Sequence, residues 1–140
     1  VRQISAQIQI GAQPERVWAV LTDLARYPQW NPLFREASGQ IAVGSRLTLK
    51  SVNPAKGRLM TVRPKVLAAE PGRELRWVAR LPGIMTGEHS FTLSPADGGT
   101  HLVQAETYRG LLARMSAATT SRTQAKFAEL NQALKQQAEG

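Results

Sequence analysis

The chain has 140 residues, with 18 Lys and Arg against 10 Asp and Glu, a formal net charge of +8. Hydrophobic residues make up 42% and charged residues 20%, a globular balance that excludes disorder, at a length suited to one domain spanning 1–140. There is no cysteine and there are two histidines, His89 and His101, which excludes disulfides and a Cys nucleophile and speaks against any metal site.

Ile4, Ala6, Ile8 and Ile10 alternate with Ser5, Gln7 and Gln9, the period of a half-buried strand. Gly11 ends it. Pro14 then opens a helix at a first-turn position, where its missing N–H costs nothing, and Glu15 suits a helix N-terminus. Val17, Trp18, Val20, Leu21 and Leu24 supply the apolar stripe. Pro28 and Pro32 break the next segment into turns or a short second helix.

From Phe34 to Arg109 the chain reads as strands. Gly39, Gly44, Asn53-Pro54, Pro71-Gly72, Pro82-Gly83 and Asp97-Gly98-Gly99 supply the breaks. Leu47 and Leu49 alternate with polar residues, as do Leu75, Trp77, Ala79 and Leu81, and Phe91 and Leu93. Short breaks between alternating strands predict an antiparallel sheet with one buried face. Residues 111–138 contain no Pro or Gly and are rich in Ala, Gln, Lys and Leu, which predicts one long helix. Its apolar face is strong at Phe127, Leu130 and Leu134 and thin at Ser116, Thr120 and Thr123. The fold class is α+β. A one-faced sheet of seven strands must cover its apolar face, and the long helix is the available cover.

That order of elements resembles the START-like (SRPBCC) superfamily, and within it the polyketide cyclase/dehydrase-like branch. The matching words are Pro14-Glu15-Arg16-Val17-Trp18, Tyr27-Pro28-Gln29-Trp30-Asn31-Pro32, Val43-Gly44-Ser45, Leu75-Arg76-Trp77 and Gly87-Glu88-His89-Ser90-Phe91. No single word is specific; their order and spacing carry the resemblance, over essentially the whole chain. It implies a helix-grip fold, in which a curved seven-stranded antiparallel sheet wraps a long C-terminal helix, with two short helices after the first strand. It also implies a cavity between sheet and helix for a small hydrophobic or amphipathic molecule. Some members cyclise or dehydrate polyketides and others carry lipids or hormones or bind partners, so an enzyme, a non-catalytic carrier of a lipid or hydrophobic ligand, and a ribosome- or membrane-associated binding module all stand open. The resemblance implies no cofactor and no shared catalytic motif.

Parity names a candidate lining. Trp77, His89 and Phe91 share an inward face, and Leu102, Gln104, Glu106 and Tyr108 share another if no bulge intervenes. Leu49 and Met60 are expected on the walls, Trp30 and Asn31 near the mouth, and Ser116, Thr120 and Thr123 on the helix side. The expected pocket is closed and roughly 300–1,000 Å³. His89 and Glu106 are the candidate acid/base groups for enolisation or water loss. The alternative is a hydrogen-bonded core histidine and a glutamate paired with an arginine. No phosphate loop, dinucleotide fingerprint or Gly-x-Ser-x-Gly elbow occurs.

Among partners, a small hydrophobic molecule leads. Nucleic acid is disfavoured, because the aromatics fall on inward parity and leave few to stack on bases. Monomer and homodimer both stand open. No apolar run approaches the ~20 residues of a membrane span, and the alternation at the N-terminus is unlike a signal or transit peptide, so a cytoplasmic protein is expected. Arg46, Lys50, Arg76 and Arg80 lie opposite the apolar parity, as do Arg63 and Lys65 if Val62 and Val66 point inward. They place the excess charge on a solvated outer sheet face, available to an anionic surface partner.

Overall fold

The computed structural model describes residues 2–54, 56–110 and 113–140. Strand β1 (Arg2–Ile10) is followed by helix α1 (Pro14–Thr22), a 3₁₀ turn (Leu24–Arg26) and the short helix α2 (Tyr27–Trp30). Pro14 stands in the first turn of α1 with Glu15 beside it, and Val17 and Leu21 face the core. Tyr27 is fully buried and donates its hydroxyl proton to the Leu21 carbonyl at 2.5 Å. This bond ties α2 beneath α1.

Seven further strands complete the β structure: β2 (Phe34–Ser38), β3 (Thr48–Val52), β4 (Leu59–Val62), β5 (Lys65–Glu70), β6 (Glu74–Leu81), β7 (Met85–Ala96) and β8 (Gly99–Gly110). One sheet has the order β1-β8-β7-β6-β5 and the other β2-β3-β4, with every pairing antiparallel. The eight segments reconcile with the expected seven strands. Arg46 bridges Lys65 in the same register that pairs Leu49 with Val62, and the Leu47 N–H donates to the Pro64 carbonyl. β4 and β5 are therefore two arms of one strand bent at Arg63-Pro64. Proline lacks the N–H that an unbroken ladder needs. The bend turns β2-β3-β4 away from the plane of the larger sheet and produces the curvature.

Helix α3 (Ala117–Glu139) closes the fold, packing on β1, β8, α1 and α2. It begins later than its composition suggested. Ser116 is its N-cap and accepts the Thr119 N–H at 3.1 Å, satisfying a donor the first turn would otherwise leave free. Residues 113–116 precede the helix, and residues 111 and 112 of the predicted span lie outside the described residues. Phe127, Leu130 and Leu134 are buried. Each contributes about 1.5–3 kcal/mol by leaving water. At the far end the Gly11 N–H donates to Glu139, and Arg16 donates to the Ala138 and Gln137 carbonyls.

The outer-face charges are only partly free. Arg76 lies 3.1 Å from Glu74 and 3.4 Å from Glu88, and Lys50 lies 3.4 Å from Glu36. Arg46 donates to the Arg63 carbonyl. No described helix is long and apolar enough to cross a membrane.

Candidate functional site

The register across β6, β7 and β8 sets one row of side chains beside another. Trp77 stands opposite His89, and His89 opposite Glu106. Phe91 stands opposite Gln104, and Gly87 opposite Tyr108. His89 is 2% exposed. Trp77 stacks on it, with ring centroids 5.6 Å apart and 16° between planes. Phe34 and Phe127 approach edge-on at 5.3 and 5.1 Å, and Phe91 at 5.1 Å. The imidazole is enclosed by four aromatic rings from β2, β6, β7 and α3.

Both ring nitrogens are bonded. Nε2 lies 3.0 Å from Gln104 Oε1, and Nδ1 lies 2.5 Å from Glu106 Oε1. Gln104 Nε2 donates to the Phe127 carbonyl at 3.0 Å and to Asn131 Oδ1 at 2.7 Å. A carbonyl can only accept, so the amide nitrogen must face it and Oε1 must face His89. His89 Nε2 therefore carries a hydrogen. Two bare acceptors cannot sit 2.5 Å apart, so one proton also lies between Nδ1 and Glu106 Oε1. The pair is either imidazolium with carboxylate or neutral imidazole with carboxylic acid.

Glu106 is the end of this chain that reaches solvent; its side chain is 21% exposed against 2% for His89. Gly87 makes room for it, since a Cβ there would stand 2.6 Å from Glu106 Oε2. Tyr108 comes next on the same face. Burial, then the Glu106 charge and a hydrogen bond to Glu106, push its hydroxyl well above the ordinary tyrosine range. The polar run is Tyr108, Glu106, His89, Gln104, Asn131. Two buried polar atoms on α3 have no partner, Asn131 Nδ2 and Thr120 Oγ1. Such atoms are costly unless water or a ligand meets them.

The expected site residues divide. Trp77, His89, Phe91, Glu106 and Tyr108 come together, with Thr120 half-buried and Thr123 buried on the helix. Thr123 Oγ1 donates to the Thr119 carbonyl. Leu49 is buried in the core. Met60, expected on the wall, is 41% exposed on β4. Ser116, expected on the helix stripe, is an exposed cap. Asn31 is buried, and its Oδ1 accepts the Leu33 and Phe34 N–H groups, so it shapes the turn into β2. Trp30 is half-buried, edge-on to Tyr27. The partner of the Glu106 carboxylate is His89 and not an arginine. Asn131, Gly87, Phe34 and Phe127 were not among the expected site residues, and Gln104 stood in the expected lining without a role. Asn131 had a signal, a polar side chain inside the apolar stripe of Phe127, Leu130 and Leu134.

One recess lies against α3, an open groove of about 210 Å³ between the β3–β4 turn and Arg122, Ala125, Lys126 and Glu129. It is smaller and more open than the expected closed pocket, and none of the rings around His89 lines it. A larger recess of about 730 Å³ lies at the opposite end, between Pro14, Glu15 and Trp18 of α1, the β5–β6 turn and Thr92–Pro95 of β7.

Residues 1–139 match the family model described as polyketide cyclase / dehydrase and lipid transport. No curated protein matches the chain. Among solved structures, protein MLL2253 from Mesorhizobium loti is 23% identical with a TM-score of 0.75, covering 99% of this chain and 97% of that one. A START superfamily protein from Mycobacterium smegmatis is 18% identical with a TM-score of 0.77, covering 98% and 97%. The di-domain ARO/CYC StfQ of the steffimycin biosynthetic pathway is 14% identical with a TM-score of 0.73; the match covers 98% of this chain and 50% of StfQ. At these identities the structural likeness concerns the fold alone.

Proposed function

The chain belongs to the polyketide cyclase / dehydrase and lipid transport family, and from that premise we propose that it binds a small hydrophobic or amphipathic molecule between the sheet and the N-terminal half of α3. The ligand presents a carbonyl or hydroxyl group to Glu106 and Tyr108. One observation carries this reading: the His89–Glu106 pair ends in a carboxylate that Gly87 leaves open, while the rest of the chain is sealed. The unpartnered Thr120 Oγ1 on the facing helix supports it.

In this reading Glu106 takes a proton from carbon beside a carbonyl, or gives one to a departing hydroxyl. His89 holds the proton behind it and Gln104 fixes the imidazole's orientation. Tyr108, held neutral, donates its one hydroxyl proton to Glu106 and so steadies that carboxyl group beside the ligand. The likeness in fold to StfQ, a di-domain ARO/CYC of the steffimycin biosynthetic pathway, supports this reading.

A carrier without turnover is the second reading. It is favoured by the enclosure of His89, which leaves no ring nitrogen for a ligand. Native mass spectrometry and thermal-shift screening against fused-ring ketones and fatty acids test binding. Glu106→Gln separates the readings. Retained binding with lost conversion of a bound hydroxy-ketone supports catalysis, and retained conversion refutes the role of Glu106. Absence of any stabilising compound refutes the binding reading.

A further inference from the structure

The bent β4–β5 strand fixes which loops share an end of the molecule. β5 continues the direction of β4 and β6 runs antiparallel to β5, so the start of β4 and the end of β6 lie at one end. Leu81 pairs with Met85 and Met85 with Gly110, which adds the β6–β7 turn and the end of β8. The groove against Arg122 and Lys126 brings the start of α3 to the same place. The other end of α3 is tied to Gly11 and Arg16.

This end carries free charge and exposed apolar side chains together. Lys56 and Arg58 lie on the β3–β4 turn, Arg80 and Arg109 near the ends of β6 and β8, and Arg114 and Arg122 before and on α3. All six are exposed, and none is in an ion pair among the described residues. The nearby carboxylates Glu88 and Glu129 are taken by Arg76 and Lys126. Among these cations, Leu59 is 54% exposed, Ile84 43% and Met60 41%. The opposite end mixes signs, with Glu15, Glu70 and Asp97 beside Arg16 and Arg73.

We propose that this end docks onto an anionic lipid bilayer, its cations on the headgroups and Leu59, Met60 and Ile84 in the interfacial layer. Unpaired Lys and Arg around exposed aliphatic tips complement such a surface in both charge and polarity. Nucleic acid fits less well. The aromatic rings that would stack on bases, Phe34, Trp77, Phe91 and Phe127, are buried. The surface adjoins the groove along α3.

The test is co-sedimentation of the full chain with vesicles of phosphatidylcholine alone or with roughly 30% phosphatidylserine. The proposal expects binding to the anionic vesicles, weakened by salt. It expects at least a tenfold loss in the double variant Arg58→Glu/Arg114→Glu, and a several-fold loss in Leu59→Ser/Ile84→Ser, with circular dichroism unchanged. No binding at low salt overturns it. So does a Leu59→Ser/Ile84→Ser variant that binds as the parent does, or tight binding to single-stranded RNA that the same variant leaves intact. Because no cavity ligand enters the assay, failure here leaves the ligand-binding reading to its own test.

Discussion

Tyr27→Phe should be the less stable protein at neutral pH and lose that disadvantage in alkali. Tyr27 is fully buried, and its hydroxyl donates to the Leu21 carbonyl at 2.5 Å. Burial, and secondarily the charge of Asp23, push the hydroxyl well above the ordinary tyrosine range. Removing it leaves the Leu21 carbonyl short of a partner, which costs about 1 kcal/mol at pH 7. The sign of the pH effect comes from linkage. In the unfolded chain Tyr27 ionises near pH ~10, whereas in the folded protein it stays neutral. The stability it confers is complete below pH ~10 and is lost as pH rises towards the folded value. By pH ~11 that loss is about 1.4 kcal/mol. The variant has no such loss, so its deficit at neutral pH should close or reverse near pH ~11. Urea unfolding tracked by tryptophan fluorescence, at neutral and alkaline pH, reads both values. An identical Tyr27→Phe deficit at both pH values would show that Tyr27 ionises freely in the fold and would refute the reasoning.

Two further changes test packing. At Gly99 an added Cβ would stand 2.2 Å from the Ile10 carbonyl oxygen, a backbone atom that cannot swing aside, so Gly99→Ala should cost at least about 2 kcal/mol in urea unfolding. Gln104→Leu strips partners from His89 Nε2, the Phe127 carbonyl and Asn131 Oδ1. It should cost about 2–5 kcal/mol, measured the same way, and a change under about 0.5 kcal/mol would disprove the amide's place in the chain.

Strand parity carried much of the candidate lining's placement. Trp77, His89, Phe91, Glu106 and Tyr108 lie on inward faces because β6, β7 and β8 pair without a bulge, so alternation in the sequence maps onto alternation in space. The partnership of His89 with Glu106 was beyond parity. It depends on which residue of β8 stands opposite His89, and that offset is fixed by the length of the Asp97-Gly98 turn. Met60 was misplaced because β4 is short and lies at the rim of its sheet, where both faces meet solvent and alternation loses its meaning. Ser116 was misplaced for a different reason. Helical spacing extends a stripe past the point where a serine caps the helix, and capping is decided by backbone geometry just outside it.

The +8 balance shows the same limit on a larger scale. Parity assigns each lysine or arginine to a face, and on that basis the outer face of the sheet is the seat of the charge. Faces do not distinguish one end of a strand from the other. Local pairing with Glu36, Glu74 and Glu88 consumes Lys50 and Arg76, while Lys56, Arg58, Arg80, Arg109, Arg114 and Arg122, without ion pairs among the described residues, gather where turns, strand ends and the start of α3 meet. An end has no periodicity in sequence, because its members come from separate elements joined only by register and by the bend at Arg63-Pro64. Once that bend is known, the excess charge becomes a vector along the strands. Its positive end coincides with the exposed Leu59, Met60 and Ile84. A field of that shape orients the molecule before contact, and the apolar tips are what that orientation would deliver to a surface.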